Sequence, residues 1–249
     1  MYALFKNQLE ELLELHTRKG RKEQGYFLIE GEKIIQDAVA AGWIIQGLIV
    51  TEEASKRYAE LIEKCTNSIP MLATQEQMRK LSETVTPTGI LAILCIPSPV
   101  PLPSTGHVLA LDDISDPGNL GTIMRTADWF GIKDLMLSPN TVDEFNGKVI
   151  RAAMGSLFHI RFHRSEQFEA DLRALQQGGY TVVVTTVSGN THTLKQVKKM
   201  CLVLGSEAHG VSKPVEAMAN STYTIAGSGD AESLNVAVSG AIALYELSK

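Results

Sequence analysis

Residues 107–137 read HVLALDDISDPGNLGTIMRTADWFGIKDLML, and this stretch decides the fold. His107–Leu111 is an apolar run of strand length, Pro117-Gly118 forces a turn, and Asn119 suits the N-cap of the helix that follows. Leu120, Ile123, Met124 and Ala127 recur at helical spacing, so a helix is predicted over Leu120–Phe130, with Gly131 as its stop. Asp134–Leu137 is apolar again. Strand, helix and strand in this order predict an α/β sheet.

The alternation extends in both directions. Downstream, helices are expected at Gly147–Met154, Gln167–Gln176, Lys213–Ala219 and Ser233–Leu247. Strands are expected at Leu157–Ile160, Thr181–Thr186, Met200–Leu204 and Thr222–Ile225. Upstream, Phe5, Leu9, Leu12 and Leu13 mark a first helix, and strands at Tyr26–Ile29, Ile44–Val50, Ile69–Leu72 and Ile90–Ile96 alternate with helices at Glu32–Ala41, Ala54–Cys65 and Gln75–Leu81. Between the halves, residues 97–106 hold four prolines in ten residues, a stretch unable to continue a helix or a central strand. The expected organisation is therefore a small α/β domain at 1–96, a stiff linker at 97–106 and a second α/β domain at 107–249.

Composition sets the outer bounds. The chain has 249 residues, 44% hydrophobic and 20% charged, with a net charge of -5, which describes a globular protein and excludes disorder. The longest apolar runs are strand-sized, well short of the roughly 20 residues that cross a bilayer. The N-terminus mixes acidic residues into its apolar stripe, unlike a signal peptide, so a cytoplasmic protein without membrane contact is expected. Cys65, Cys95 and Cys201 are too scattered for a disulfide frame. Against the mild overall acidity, Arg18, Lys19, Arg21 and Lys22 crowd around Gly20 after the first helix. They form either a solvated basic loop or a phosphate-contacting arm with a glycine hinge.

Open α/β sheets bind ligands beyond the carboxyl ends of their strands, which directs attention to the loops after Leu111, Leu204 and Ile225. The loop Gly205–Ser212 has the glycine spacing of a phosphate-cradling loop, but Val211 stands where the lysine must be. The loop Ala226–Glu232 offers two of the three glycines of a dinucleotide fingerprint, and too little chain follows to hold the ribose. No serine-hydrolase elbow is present, and His159 and His163 lack carboxylate or cysteine company for a metal. Gly121 and Arg125, one helical turn apart, share a face on which a partner can come close to the guanidinium. The plainer alternative pairs Arg125 with Asp128 on the surface.

The three loops taken together carry a resemblance. D-P-x-N-x-G-x-x-x-R-T-A at 116–127, G-S-E-x-x-G-V-S at 205–212 and E-S-L-N-V-A-V at 232–238 resemble, in order and spacing, the three motifs of the SpoU (TrmH-like) RNA 2′-O-ribose methyltransferases. The N-terminal half is similar to the RNA-binding domain attached to many members, through residues 18–22, Phe27–Gly31 and Thr86–Ile90.

The resemblance implies a C-terminal SPOUT domain closed by a deep trefoil knot, with S-adenosylmethionine bent into a pocket walled by Thr185, Gly205, Glu207, Ile225, Ala226, Gly227 and Leu234. It implies Arg125 as the catalytic arginine, assisted by Asn119, Glu207, Ser233 and Asn235. Because guanidinium hardly gives up a proton, the expected role of Arg125 is to stabilise the developing alkoxide and grip an RNA phosphate. Capping accounts equally for Asn119 and Ser233, less so for Asn235 inside a helix. Arg18, Lys19, Arg21 and Lys22 would contact RNA, ribosomal RNA rather than tRNA, and no metal is implied. Members dimerise through the knotted domain, so a homodimer is expected through the terminal helix. The rival reading is a noncatalytic RNA-binding assembly factor of the same fold. Two departures stand out: Ala226 occupies the place of a common proline, and Ala153 that of a frequent serine.

Overall fold

The computed structural model describes residues 1–65, 69–188, 194 and 197–249. The first part of the chain forms β1 (Tyr2–Ala3), α1 (Lys6–Glu14), α2 (Arg18–Gln24), β2 (Tyr26–Glu30), α3 (Glu32–Ala40), β3 (Ile45–Val50), α4 (Glu52–Arg57), α5 (Ala59–Lys64), β4 (Met71–Leu72), α6 (Gln75–Leu81) and β5 (Ile90–Cys95). There follow β6 (Val108–Asp112), α7 (Pro117–Trp129), β7 (Asp134–Leu137), α8 (Gly147–Ala153), a 3-10 turn (Met154–His159), β8 (Arg161–Arg164) and α9 (Phe168–Gln177). Next come β9 (Thr181–Thr185), β10 (Met200–Gly205), α10 (Lys213–Met218), β11 (Ser221–Tyr223) and α11 (Val236–Ser248). No helix among the described residues is long and apolar enough to cross a membrane.

Two compact units result. One comprises Met1–Ser98 together with Phe145–Phe158, the other Pro99–Glu144 and His159–Lys249. The first holds a mixed five-stranded sheet in the order β1-β4-β3-β5-β2, with β5 antiparallel to both β3 and β2. Phe27, Ile29, Leu48, Ile49, Met78 and Leu81 are almost wholly removed from solvent there and fill the core.

Sequence reasoning assigns residues 145–158 to the second domain, yet they pack within the first unit. The Phe145 ring lies 4.7 Å from that of Phe27, Trp43 Nε1 donates to the Phe158 carbonyl at 3.2 Å, and Arg151 pairs with Glu83 at 2.9 Å. The same packing replaces the strand expected at Leu157–Ile160 by the 3-10 turn, since it seats Phe158 against Trp43 at a centroid distance of 5.3 Å. The strand begins afterwards, at Arg161.

The expected basic loop with a glycine hinge is helix α2. Thr17 Oγ1 accepts the Gly20 amide as its cap. Gly20 is needed for contact rather than for hinging, because a Cβ there would stand 2.1 Å from the Glu14 carbonyl oxygen.

The second unit is a six-stranded, wholly parallel sheet in the order β11-β9-β10-β6-β7-β8. From β6 the chain moves outward through β7 to β8, then returns to the other side of β6 to add β9, β10 and β11. The reversal of direction lies between β6 and β10, the position where such sheets open a crevice at their carboxyl ends. Helices α7 and α11 pack against each other, and Gly240 lets α11 approach β10, where a Cβ would meet Leu204 Cδ1 at 2.8 Å.

Candidate active site

The crevice between β6 and β10 gathers the site. Asp116, not Asn119, is the N-cap of α7: its Oδ1 accepts the Asn119 amide at 2.8 Å, and Pro117 takes the first helical position, where its missing N–H is no loss. Asn119 thus lies in the first turn with its carboxamide free for other use. Its Nδ2 donates to Glu207 Oε1 at 2.8 Å.

Glu207 stands in a small hairpin after β10, closed by reciprocal backbone bonds between Ser206 and Gly210 at 3.0 and 2.8 Å. Gly205 leads into it past the Gly210–Val211 backbone, where any Cβ would be 2.1 Å from the Gly210 carbonyl carbon.

The third member comes from the start of α11. Asn235 is not inside a helix but caps one: its Oδ1 accepts the Ala237 and Val238 amides at 2.9 and 3.3 Å. That leaves Nδ2 to donate to Glu207 Oε1 at 2.5 Å and to Asn119 Oδ1 at 3.1 Å. Three segments far apart in sequence, following β6, β10 and β11, thereby meet, with two carboxamides sharing one carboxylate oxygen of Glu207.

Two of the proposed catalytic residues are not in this cluster. Ser233 lies in the exposed stretch before the helix rather than at its cap, because α11 begins three residues later than expected. Arg125 is exposed and, among the described residues, makes no hydrogen bond or ion pair, so the surface pair with Asp128 is not formed. It sits six residues beyond Asn119, about 9 Å further along the axis and roughly a third of a turn around the helix. Asp128 instead holds Lys133 at 2.6 Å and His159 at 2.9 Å.

The cofactor candidates line the carboxyl edge of adjacent strands. Thr185 ends β9 in register with Tyr223 of β11, and its Oγ1 donates to the Val203 carbonyl at 3.1 Å; Gly205 ends β10. Ile225 is half-buried, while Ala226, Gly227 and Leu234 are exposed. Among the described residues no backbone hydrogen bond ties down 225–234, so a run of amides and carbonyls is left to recognise the edge of a purine. That fits an adenosine-bearing cofactor better than a phosphate-rich one, which would call for a cation in the loop.

The basic residues divide. Arg18, Lys19 and Lys22 are exposed on α2, with Lys19 loosely paired to Glu23 at 3.8 Å. Arg21 is 3% exposed and donates to the Leu15 carbonyl at 2.7 Å, tying α2 to the end of α1, so it is corrected from an RNA contact to a structural residue. His163 donates toward Asp134 at 2.8 Å inside the second unit, and no cluster of metal ligands occurs among the described residues. Sequence reasoning missed Asp116, although Asp directly before Pro is a legible cap-and-first-position signal.

Residues 106–245 match the SpoU rRNA Methylase family, and residues 6–92 match the MRM3-like substrate binding domain. The chain belongs to the SpoU rRNA methylase family. The two matches together span both parts of the chain. It is 34% identical over 245 residues to the 23S rRNA (guanosine(2553)-2′-O)-methyltransferase RlmP of Bacillus subtilis, covering 97% of this chain and 96% of that one. It superposes with a TM-score of 0.86 on the AdoMet-bound rRNA methyltransferase of Sinorhizobium meliloti, at 28% identity over 99% of this chain and 97% of that one. The SpoU methyltransferase AviRb of Streptomyces viridochromogenes, 24% identical, shares the fold with a TM-score of 0.88 over 98% and 97% of the two chains. The organisation expected for a SpoU member, an N-terminal α/β domain followed by a C-terminal SPOUT-type α/β domain, is thus present.

Proposed function

We propose that this protein transfers the methyl group of S-adenosylmethionine to a ribose 2′-hydroxyl of ribosomal RNA. The observation that carries the reading is the convergence of Asn119, Glu207 and Asn235 on one oxygen at the topological switch of a parallel sheet. The relatives support it: one is named for 2′-O methylation of 23S rRNA, and another was crystallised with AdoMet. With ribosomal RNA as the proposed substrate, the proposed location is the cytoplasm.

S-adenosylmethionine, when bound, supplies an electrophilic methyl on sulfonium. Thr185, Gly205, Ile225, Ala226, Gly227 and Leu234 would hold it, mainly through the free backbone of the last loop. Glu207 Oε1 is saturated by two carboxamides, which fixes the carboxylate plane. Its Oε2 has no partner among the described residues and, on an exposed side chain, would accept from a ribose hydroxyl. Such fixed polar groups act by orientation and by meeting charge as it develops.

The guanidinium that stabilises the alkoxide comes from Arg125 of a second copy. Support lies in its exposure, with no partner among the described residues, and in the apolar surface nearby. A groove of about 480 Å³ between α7 and α11 is lined by Val238, Ala241, Ile242 and Tyr245 together with Thr122 and Thr126, and Val238 and Tyr245 are exposed in it. A two-fold pairing over this groove would make a homodimer with Arg125 of each copy serving the other's cluster. The reach of Asn235 back to Glu207 also supports threading of the last segment as a trefoil knot. Arg18, Lys19 and Lys22 give the N-terminal unit its phosphate-facing charge.

The test is incubation of purified protein with methyl-labelled S-adenosylmethionine and ribosomal RNA or tRNA. Label in an alkali-resistant dinucleotide from ribosomal RNA supports the reading. Label in tRNA alone would move the substrate class, and label on a base would remove the ribose assignment.

A further inference from the structure

The hairpin that carries Glu207 is held at two points, and the second is a residue with no role so far. Asp112 is the last residue of β6, paired in register with Gly205 at the end of β10. It is 5% exposed, and a carboxylate so buried is tolerated only when hydrogen-bonded. Its Oδ2 accepts the backbone amide of Ser212 at 2.8 Å, across 100 residues of sequence. Ser212 is the residue at which the hairpin ends and α10 begins.

The hairpin is rigid within itself, through the paired Ser206 and Gly210 and the close pass of Gly205. Its tilt is therefore set by where Ser212 is pinned, and its tip holds Glu207. The next residue, Asp113, adopts a left-handed φ of 59° and turns the other way. Its Oδ1 accepts from Ser138 Oγ at 3.0 Å and its Oδ2 from Asn140 at 3.4 Å, in the loop after β7. Consecutive aspartates thus join the end of β6 to the loops of both its neighbours in the sheet.

We propose that Asp112 is a positioning residue for methyl transfer: through Ser212 it sets the reach of Glu207 to Asn119 and Asn235. This rests on the reading of Glu207 as part of the active site.

The experiment measures kcat, and KM for S-adenosylmethionine, in Asp112→Ala, Asp112→Asn, Ser212→Pro, Glu207→Ala and the double variant Asp112→Ala/Glu207→Ala. A misplaced catalytic group costs up to roughly 100-fold, so Asp112→Ala should lower kcat about 10- to 100-fold with little change in KM. Asp112→Asn keeps an oxygen for the amide and should recover most of the rate. Ser212→Pro deletes the donor at a backbone angle proline accepts, φ -61°, and should reproduce the alanine defect, which keeps the test open if Asp112→Ala fails to fold. The double variant should be no slower than Glu207→Ala alone. An equal loss from Asp112→Ala in both backgrounds, or full kcat in both Asp112→Ala and Ser212→Pro, would overturn the positioning role. Full activity in Glu207→Ala would instead remove Glu207 from the site, and the inference with it.

Discussion

Asn119 and Glu207, 88 residues apart in the chain, meet at 2.8 Å, and the meeting depends on Asp116 having taken over the helix cap. A cap residue has its side chain turned onto its own helix; a first-turn residue does not. A helix start three residues earlier than expected therefore leaves the Asn119 carboxamide unspent on capping and able to hold Glu207.

Asn235 combines both uses, and its variants should separate them. Asn235→Ala removes the cap and the bond to Glu207, so it should lose about 1 kcal/mol of stability together with most of the activity. Asn235→Asp can still cap, but sets a second carboxylate against Glu207. Thermal melting should therefore return toward that of the parent while methyl transfer stays low. Recovery of both by aspartate would show that Asn235 matters only as a cap.

Arg125→Ala and Asn235→Ala should each be inactive alone. If Arg125 serves the neighbouring copy, unfolding and refolding the two together should restore activity to about a quarter of wild type, the share of sites that random two-fold pairing leaves intact. A mixture as inactive as its parts would place Arg125 in its own subunit's site or outside the mechanism.

The basic helix should show two distinct behaviours. Replacing Arg18, Lys19 and Lys22 by glutamine should weaken RNA binding and flatten its salt dependence, by up to about one unit of log–log slope per lost phosphate contact. Arg21→Met should leave the slope alone and lower stability by about 1–3 kcal/mol, since it strips the buried Leu15 carbonyl of its donor. Salt titrations of RNA binding beside urea unfolding distinguish the two.

His107 gives the second unit an acid limit. Its Nδ1 accepts the Met200 amide at 3.2 Å where β10 begins, and burial holds its pKa below the usual 6.5. The group is neutral in the fold and more readily protonated when unfolded. Its contribution is therefore complete above about pH 6.5 and is lost as pH falls through the lower folded value. Urea midpoints should decline over that range, and His107→Asn, which keeps an acceptor but cannot titrate, should decline less. Parallel pH profiles for the two proteins would contradict this.

Much of the architecture was legible because the second unit is so regular. Val108–Leu111 and Met200–Leu204 are continuous apolar runs, as strands buried on both faces must be, and the carboxyl-end rule then pointed to three loops that do converge. What escaped was decided by neighbours distant in sequence. Asp116 is the exception, since the proline after it marks it locally as the cap ahead of Asn119. Arg21 looks like Arg18 in sequence, yet the Leu15 carbonyl draws it inside. Residues 157–160 carry strand-like composition, but Trp43 provides a seat that a helical turn fills better. Asp112 ends an apolar strand like many surface aspartates, and its partner lies 100 residues further on.

The central claim is that the carboxylate of Glu207, gripped by Asn119 and Asn235, serves ribose methylation. The most direct measurement is the alkali-resistant dinucleotide formed in ribosomal RNA by wild type and by Glu207→Gln at saturating S-adenosylmethionine. The account predicts one resistant linkage with wild type and a rate lower by roughly 100-fold with the variant. A resistant linkage formed equally fast by Glu207→Gln would contradict it.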